Sequence, residues 1–317
     1  MNELIYFFLP LILGLIGIFF FEKWSRTKNF ALGTDINKKT QNKTPEATGI
    51  VLLFVLWIIV LTINFLEGFW IQSFYWMGII TVFSLVGFVD DTKNKWGKPL
   101  GWKKRALPVI IASIVFGYLI SGEIITGILI GFFIAIFSSF HNSFAGLNGW
   151  EVGSSYIICL FVSFLLIGSG LFIYSIAVLG AILALLVFNV FPARVFPGDS
   201  GTLLMGSAIT GLIVLTMEKN LIIVFCFFYL PHLIDFLFLK MRTNLTDMTQ
   251  VKSKPYKLLE DSRLAIPEYT GKTKYDFAKL VLKVFGPLKE WQIVLINLVV
   301  VALNCLVWLY IFGKITL

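Results

Sequence analysis

The chain contains 317 residues, of which 58% are hydrophobic and only 14% are charged, and its formal net charge is +8. Soluble domains carry about 25% charged residues, so this composition, with a mean hydropathy of +0.87, excludes an ordinary soluble enzyme. Disordered, collagen-like and coiled-coil chains are also excluded, because long apolar runs without a short repeat dominate the sequence. The composition therefore predicts a protein that crosses a lipid bilayer several times.

Ten apolar runs follow one another along the chain and predict an all-α integral membrane protein with about ten transmembrane helices in one bundle. The runs lie at 4–21, 50–66, 69–89, 106–120, 124–141, 154–169, 171–190, 202–217, 220–239 and 291–312. The first run has no basic leader, so we expect it to be retained as a span. We expect residues 1–317 to form a single transmembrane domain whose largest cytoplasmic loop is 240–290.

The basic residues sort onto one side of this predicted bundle. With ten spans, short connections alternate with longer polar loops, and 24 of the 26 lysines and arginines fall in the longer loops. The positive-inside rule then predicts that the longer loops are cytoplasmic and that both termini are outside. A basic face can serve to attract anionic lipid headgroups or to collect polyanionic substrates. The residues within the loops must distinguish these two explanations.

Several of these loops hold polar residues that apolar packing does not explain. Asp90 and Asp91 end an apolar helix, and Asp199 lies between prolines and glycines. Carboxylate and amide oxygens suit Mg²⁺, whereas two histidines and three cysteines inside apolar runs argue against a zinc site. Each feature alone also has a structural explanation as a turn glycine, a helix cap or a core aromatic residue.

His232 and Asp235 lie three residues apart near the end of the ninth predicted span, so they share one face of a helix. An ionisable pair inside a membrane span is a functional candidate. The end of a span is also the least costly place for such a pair, and a purely structural role stays open.

Taken together, the polar loops resemble the polyprenyl-phosphate N-acetylhexosamine-1-phosphate transferases, and within that family the archaeal and eukaryotic UDP-GlcNAc–dolichyl-phosphate GlcNAc-1-phosphotransferases. The segments that carry the resemblance occur in the family's order. They are GTDINK with PEATG, GFVDD with KKRALP, NSFAGLNGWEVG, NVFPARVFPGDSG and VLKVFGPLKE. The resemblance implies a bundle of about ten helices with its active site on the cytoplasmic face.

The resemblance also implies a reaction. N-acetylglucosamine-1-phosphate would pass from UDP-GlcNAc to a polyprenyl (dolichyl) phosphate, giving polyprenyl-diphosphate-GlcNAc and UMP, the first step of lipid-linked oligosaccharide assembly for protein glycosylation. The cofactor would be Mg²⁺. The protein would interact with the lipid bilayer and not with nucleic acid, and it could form a homodimer. We expect an archaeal-type plasma membrane, or the endoplasmic reticulum if the protein is eukaryotic.

The family's functional residues carry over position by position. The implied Mg²⁺ ligands are Asn142 and Asp199. The implied catalytic residues are Asp90, Asp91, Lys104 and Asp199. Of these, Asp90 and Asp91 would lie near the acceptor phosphate, and Lys104 would contact the diphosphate. The implied substrate-binding residues are Glu46, Gly146, Asn148, Phe196, Lys240 and Arg242.

The sequence departs from its relatives in two places. It lacks the histidine cluster that the bacterial peptidoglycan enzymes carry in the last cytoplasmic loop, and Lys240-Met241-Arg242 stands where the eukaryotic enzymes have Arg-His-Arg. The identity of the sugar is therefore open, and another UDP-N-acetylhexosamine used for cell-surface polymers is an alternative. A nucleotide-sugar or lipid transporter is a second alternative, although no internal repeat supports it; a structural membrane subunit is the third.

For the reaction mechanism, we expect direct attack by the lipid phosphate on the UDP-sugar. The competing mechanism forms an aspartyl phospho-enzyme intermediate.

Overall fold

A computed structural model describes residues 3–35, 37–38, 43–93, 102–144, 146–240, 256–267 and 276–316. Helices account for most of these residues. The helices are α1 (Leu4–Lys28), α2 (Gly49–Glu67), α3 (Ile71–Lys93), α4 (Trp102–Ser121), α5 (Ile124–Ser143), α6 (Trp150–Leu165), α7 (Phe172–Asn189), α8 (Gly198–Leu215), α9 (Lys219–Phe228), α10 (Leu230–Leu233), α11 (Phe277–Phe285) and α12 (Glu290–Thr316), with a π-helical segment, Ile234–Lys240, directly after α10.

Each of the ten predicted runs coincides with helix, so the predicted fold class is confirmed. Within the described ranges, eight helices are individually long and apolar enough to cross a membrane: α1 to α5, α7, α8 and α12. The sixth run forms the shorter helix α6. The ninth run is not one straight helix, because α9 and the helical segment after it meet at a bend of 55°. Pro231 lies just after this bend, where its ring and missing N–H interrupt the helical ladder.

Two small antiparallel sheets lie among the described loop residues. The strands β1 (Leu32–Thr34) and β2 (Lys43–Pro45) form a two-stranded sheet, while β3 (Lys257–Leu258), β4 (Arg263–Ala265) and β5 (Leu288–Lys289) form a three-stranded sheet in that order. The sequence did not predict these strands, because two or three residues are too few to show an alternating pattern.

The centre of the bundle is α8, whose residues from Ser200 to Val214 are all buried. Helices α2, α3, α5, α6 and α7 all contact it. Small residues let these neighbours come close: a Cβ atom at Gly206 would lie 2.6 Å from the Cα of Ser138 on α5. In contrast, α1 and α12 lie at the periphery and expose most of their apolar surface, as expected for helices that face lipid.

Contacts among the polar loops place them at one end of the bundle. Asp91 at the end of α3 reaches the first turn of α8, and Asn148 reaches both Asp35 and Glu290. The longer loops that the alternation of spans assigned to one face therefore meet, as predicted. Which side of a membrane this end faces stays a prediction.

Candidate active site

A cavity of about 320 Å³ opens among the polar loops. Its lining comes from the β1–β2 hairpin, the end of α5, the α5–α6 loop and the start of α8. Six of the residues singled out in the sequence line it: Glu46, Asn142, Gly146, Asn148, Phe196 and Asp199. The cavity thus unites residues that are more than 150 positions apart in the chain.

Asp91 connects the end of α3 to the start of α8. Its Oδ1 accepts a hydrogen bond of 2.8 Å from the backbone N–H of Asp199, and its Oδ2 accepts one of 3.1 Å from that of Ser200. The first N–H groups of a helix have no partner within the helix, and a carboxylate there also interacts favourably with the helix dipole. Asp91 therefore caps α8 from a neighbouring helix and fixes the backbone of Asp199, which lies in the first turn of α8 rather than in a loop.

Three glycines let α2, α3 and α8 meet at this point without intervening side chains. A Cβ atom at Gly198, whose φ is +67°, would lie 2.3 Å from Oδ2 of Asp91. One at Gly87 would lie 2.3 Å from the carbonyl carbon of Asp199, and one at Gly49 would lie 2.1 Å from a backbone nitrogen of α8. All these distances are too short for a real carbon atom, so the site requires glycine at these positions.

Arg105 in the first turn of α4 supplies a positive charge to this acidic cluster. Its guanidinium donates a hydrogen bond of 3.0 Å to Oδ2 of Asp90 and another to the Asp199 carboxylate. Lys104, the residue singled out in the sequence, is exposed. Successive helical residues point about 100° apart, so the two neighbours face different surroundings, and the sequence alone does not tell which one contacts the acids.

Asn142 and Asp199 converge in the cavity, as their predicted shared role requires. Asn142 lies in the last turn of α5, and its side chain interacts with the Asp199 carboxylate. Among the described residues, no three acidic, histidine or cysteine side chains form a ready-made metal cage. Mg²⁺ usually binds through one or two protein carboxylates and completes its shell with water and substrate phosphates. An amide and a carboxylate oxygen therefore fit that ion.

The side chains of Glu46 and Phe196 both lie close to Gly33 in the hairpin. A Cβ atom at Gly33 would be 3.0 Å from Oε2 of Glu46 and 3.2 Å from Cδ2 of Phe196. The backbone N–H of Phe196 donates a hydrogen bond of 2.7 Å to the carbonyl of Pro45, which holds the two segments together. Burial, reinforced by the nearby Asp199 and Asp90 carboxylates, raises the pKa of Glu46 to about 7.

Asn148 is held by two acidic residues that the sequence analysis did not assign. Its Nδ2 donates a hydrogen bond of 2.9 Å to Oδ2 of Asp35, and its backbone N–H donates one of 2.8 Å to Oε1 of Glu290. Both acids fall in segments that matched the family, GTDINK and VLKVFGPLKE, but their contacts exist only in the folded chain. Asp35 and Glu290 thus position the amide of Asn148 at the cavity wall.

Comparison with known proteins finds a family match that includes much of the cavity. Residues 73–217, which run from α3 to the end of α8, match the profile of glycosyl transferase family 4. The chain is similar to this family over that segment, which is a little under half of its length. Members of family 4 transfer hexosamine-1-phosphate to polyprenyl phosphate, so the match supports a phospho-sugar transferase. The resemblance to the polyprenyl-phosphate hexosamine-1-phosphate transferases is thereby confirmed at the family level.

Individual relatives come from archaea and bacteria. A candidate glycosyltransferase of Methanocaldococcus jannaschii is 29% identical over 273 residues, covering 84% of this chain and 83% of the relative. The phospho-N-acetylmuramoyl-pentapeptide-transferase of Shouchella clausii is 34% identical over 209 residues, 57% of this chain and 64% of the relative. The enzyme of the same name from Carboxydothermus hydrogenoformans is 27% identical over 244 residues, 67% of this chain and 74% of the relative.

His232 and Asp235 do not line the cavity. His232 packs with its ring centroid 4.1 Å from that of Phe144, and Asp235 accepts a hydrogen bond of 2.7 Å from the backbone N–H of Phe277 at the start of α11. These contacts give the pair roles in packing and in anchoring α11. Lys240 ends the π-helical segment, and Arg242 lies outside the described residues, so their substrate-binding roles stay predictions.

Proposed function

We propose that this protein transfers N-acetylglucosamine-1-phosphate from UDP-GlcNAc to a polyprenyl (dolichyl) phosphate, releasing UMP. The observation that carries the proposal is the meeting of Asn142 and Asp199, from separate helices, in a polar cavity at one end of an apolar bundle. A lipid-anchored phosphate and a water-soluble nucleotide can meet only at such an end, where the membrane gives way to water.

The charge of the cavity supports a need for a divalent cation. Asp35, Glu46, Glu151 and Asp199 line it, whereas both proposed substrates are anions. Bringing a diphosphate against carboxylates is unfavourable unless a positive charge intervenes. We propose that Asn142 and Asp199 hold Mg²⁺, which when bound neutralises negative charge on the diphosphate.

The chain's own residues would bind and orient the two substrates. Glu46, Gly146, Asn148 and Phe196, which all line the cavity, are proposed to hold the uridine. Phe196 offers a ring for stacking, and Asn148 offers an amide whose position is fixed by hydrogen bonds. This arrangement would place the donor diphosphate towards Asn142 and Asp199.

The transfer itself is proposed as a direct displacement. An oxygen of the lipid phosphate forms a bond to the β-phosphorus of the UDP-sugar, and the bond from that phosphorus to the bridging oxygen breaks, so UMP leaves. Lys104 is proposed to offset charge on the departing UMP, and Asp90 and Asp91 to lie near the acceptor phosphate. The competing mechanism uses an aspartate as nucleophile; trapping a sugar-phosphate on the protein without acceptor would support it instead.

The identity of the transferred sugar is the most specific part of the proposal. N-acetylglucosamine follows from the archaeal and eukaryotic resemblance. The names of the bacterial relatives suggest phospho-N-acetylmuramoyl-pentapeptide as a second candidate, and another N-acetylhexosamine for a cell-surface polymer is a third. The absence of histidine from residues 240–290 argues against the bacterial substrate. We further propose that the active end faces the cytoplasm, in an archaeal-type plasma membrane or, in a eukaryote, the endoplasmic reticulum.

One assay tests the proposal. Purified protein is incubated with Mg²⁺, dolichyl phosphate and, in turn, UDP-GlcNAc, UDP-GalNAc and UDP-MurNAc-pentapeptide, while UMP release and the lipid product are measured. The expected result is UMP and a lipid-linked diphosphate sugar with UDP-GlcNAc, abolished by EDTA. Product with a different donor only would overturn the assignment of the sugar. Exchange of UDP-sugar across vesicles without any lipid product would overturn the transferase and favour a transporter.

A further inference from the structure

A second cavity, of about 580 Å³, lies beside the catalytic one. It is formed by the end of α1, the β1–β2 hairpin and the loop between α7 and α8, and Asp35 lines both cavities. Four basic residues line it, and we call it the basic pocket. They are Arg26, Lys38, Lys43 and Arg194.

The described residues of the basic pocket carry an excess of positive charge. Arg26 and Arg194 both pair with the single carboxylate of Glu22, at 3.3 and 2.6 Å. Lys38 pairs with Asp35 at 2.5 Å, and that carboxylate also accepts a hydrogen bond from Asn148. Four cations thus face two described carboxylates. The difference of two charges equals the charge of about −2 that a phosphate monoester carries at neutral pH.

The arginines of the basic pocket are held in place before any ligand arrives. The guanidinium of Arg26 donates hydrogen bonds to the carbonyls of Lys43, at 3.0 Å, and Arg194, at 3.2 Å. The guanidinium of Arg194 lies 4.7 Å from the ring centroid of Phe188. Side chains that are already ordered lose little entropy when they bind an anion, and guanidinium groups match the geometry of phosphate oxygens.

The surroundings of the basic pocket favour an anion that is attached to lipid. Arg26 lies in the last turn of α1, a helix whose outer face is apolar. Trp24 on that helix is 48% exposed, and Phe191, next to the pocket-lining Pro192, is 40% exposed. Exposed aromatic rings beside lysine and arginine are typical of the level where lipid headgroups lie.

We propose that the basic pocket binds the phosphate headgroup of a bilayer lipid, with a phosphate monoester preferred. The ligand is a lipid of the surrounding bilayer rather than the polyprenyl phosphate acceptor, and none of the four basic residues belongs to the proposed donor, metal or acceptor site. The proposal therefore stands or falls independently of the proposed function.

Binding to the purified full chain in detergent tests the proposal. The three ligands are short-chain phosphatidic acid, diacylglycerol with the same chains, and inorganic phosphate, measured by adduct retention in native mass spectrometry and by the shift in Tm. The test variant is Lys43→Gln/Arg194→Gln. The control, Arg263→Gln/Lys289→Gln, removes two positive charges from the β3–β4–β5 sheet.

The wild type and the control should retain phosphatidic acid and be stabilised by it, whereas diacylglycerol should have no effect. The test variant should bind phosphatidic acid at least about tenfold more weakly, since charge-assisted contacts are lost. Equal binding by the test variant and the wild type would overturn the proposal. Equal affinity for inorganic phosphate and phosphatidic acid would overturn the assignment to lipid. If the double variant fails to fold, the single variant Lys43→Gln, at an exposed residue, should still weaken binding, and its failure to do so would count against the proposal.

Discussion

Two neighbouring cavities at one end of the bundle differ in the charge of the residues that line them. The catalytic cavity, of about 320 Å³, is lined by the carboxylates of Asp35, Glu46, Glu151 and Asp199. The basic pocket, of about 580 Å³, is lined by two arginines and two lysines, and the Asp35 carboxylate lies between the two. Both belong to a face where most of the chain's basic residues were predicted to lie.

This difference separates two electrostatic effects that the net charge of +8 combines. A basic face raises the local concentration of anions over distances of a Debye length, which is about 8 Å at physiological salt. At closer range, an anion meets the particular side chains of one cavity. The proposals assign phosphate binding without a metal to the basic pocket and phosphate binding through an added cation to the acidic cavity.

The largest expected effect comes from removing Asp199. Asp199→Ala should lower kcat for UMP release by about 10²–10³-fold, the usual cost of deleting one electrostatic contact to a reacting group. Binding of phosphatidic acid in the basic pocket should not change, which separates the two cavities. Asp261→Ala, which removes an exposed carboxylate at the turn before β4, is the matched control and should retain turnover. Near-normal turnover by Asp199→Ala would show that the metal assignment is wrong.

Gly198→Ala should disturb the same cavity through the backbone. The left-handed φ of +67° and the approach of its Cβ to within 2.3 Å of Oδ2 of Asp91 should together lower the free energy of unfolding by about 2 kcal/mol or more. Thermal unfolding in detergent and UMP release provide the two measurements. Gly78→Ala is the control, because nothing lies within 4 Å of its added carbon; it should stabilise α3 slightly. Equal Tm values for the two variants would contradict this account of Gly198.

Replacing Arg105 should mainly lower stability, whereas replacing Lys104 should mainly slow turnover. Arg105→Gln removes the guanidinium that contacts Asp90 and Asp199, so the free energy of unfolding should fall by about 1–3 kcal/mol even without substrate. Lys104→Gln removes an exposed charge and should leave Tm unchanged while slowing turnover, because its proposed contact forms only with the diphosphate. Arg105→Lys should give an intermediate Tm, since it keeps the charge but loses the planar fork. A larger loss of Tm for Lys104→Gln than for Arg105→Gln would reverse the two assignments.

The smallest expected effect is a pH dependence from Glu46. Its pKa is raised from 4.5 to about 7 in the folded protein, chiefly by burial, so the fold favours the protonated form. Its contribution to stability is therefore complete below about 4.5 and is lost as the pH rises through about 7. In metal-free protein, the Tm of the wild type should fall more over this interval than that of Glu46→Gln. Asp261→Asn, a carboxylate outside the cavity, should follow the wild type; parallel curves for wild type and Glu46→Gln would refute the raised pKa.

The sequence predicted the helices well because their apolar runs are long. It predicted helix ends and bends less well, because only a few residues determine them. The run 220–239 does not form one straight helix, because α9 ends at Phe228 and Leu230 and Pro231 begin the next segment after the bend. The start of α8 was placed at 202, because Gly198, Asp199 and Ser200 are not apolar. They form helix because Asp91, 108 positions earlier, caps their backbone N–H groups.

The site was predicted at the level of segments rather than contacts. The motifs contained every residue that lines the cavity except Thr202, and Asn142 with Asp199 came together as expected. Asp35 and Glu290 were not assigned, since they act on Asn148 from 113 and 142 positions away. Arg105 was not distinguished from its neighbour, because a run of basic residues does not reveal which member faces inward.

The contact between the backbones of α2, α3 and α8 has a consequence for how this enzyme can vary. Where main chains touch, the distance between two helices is set by atoms that all amino acids share, so no compensating change of side chain can restore it. Related enzymes can therefore exchange the rim of the cavity and so change substrates, while the spacing beneath it tolerates almost no substitution. Directed evolution towards a new donor sugar should accordingly start from the hairpin and the α5–α6 loop and leave Gly49, Gly87 and Gly198 untouched.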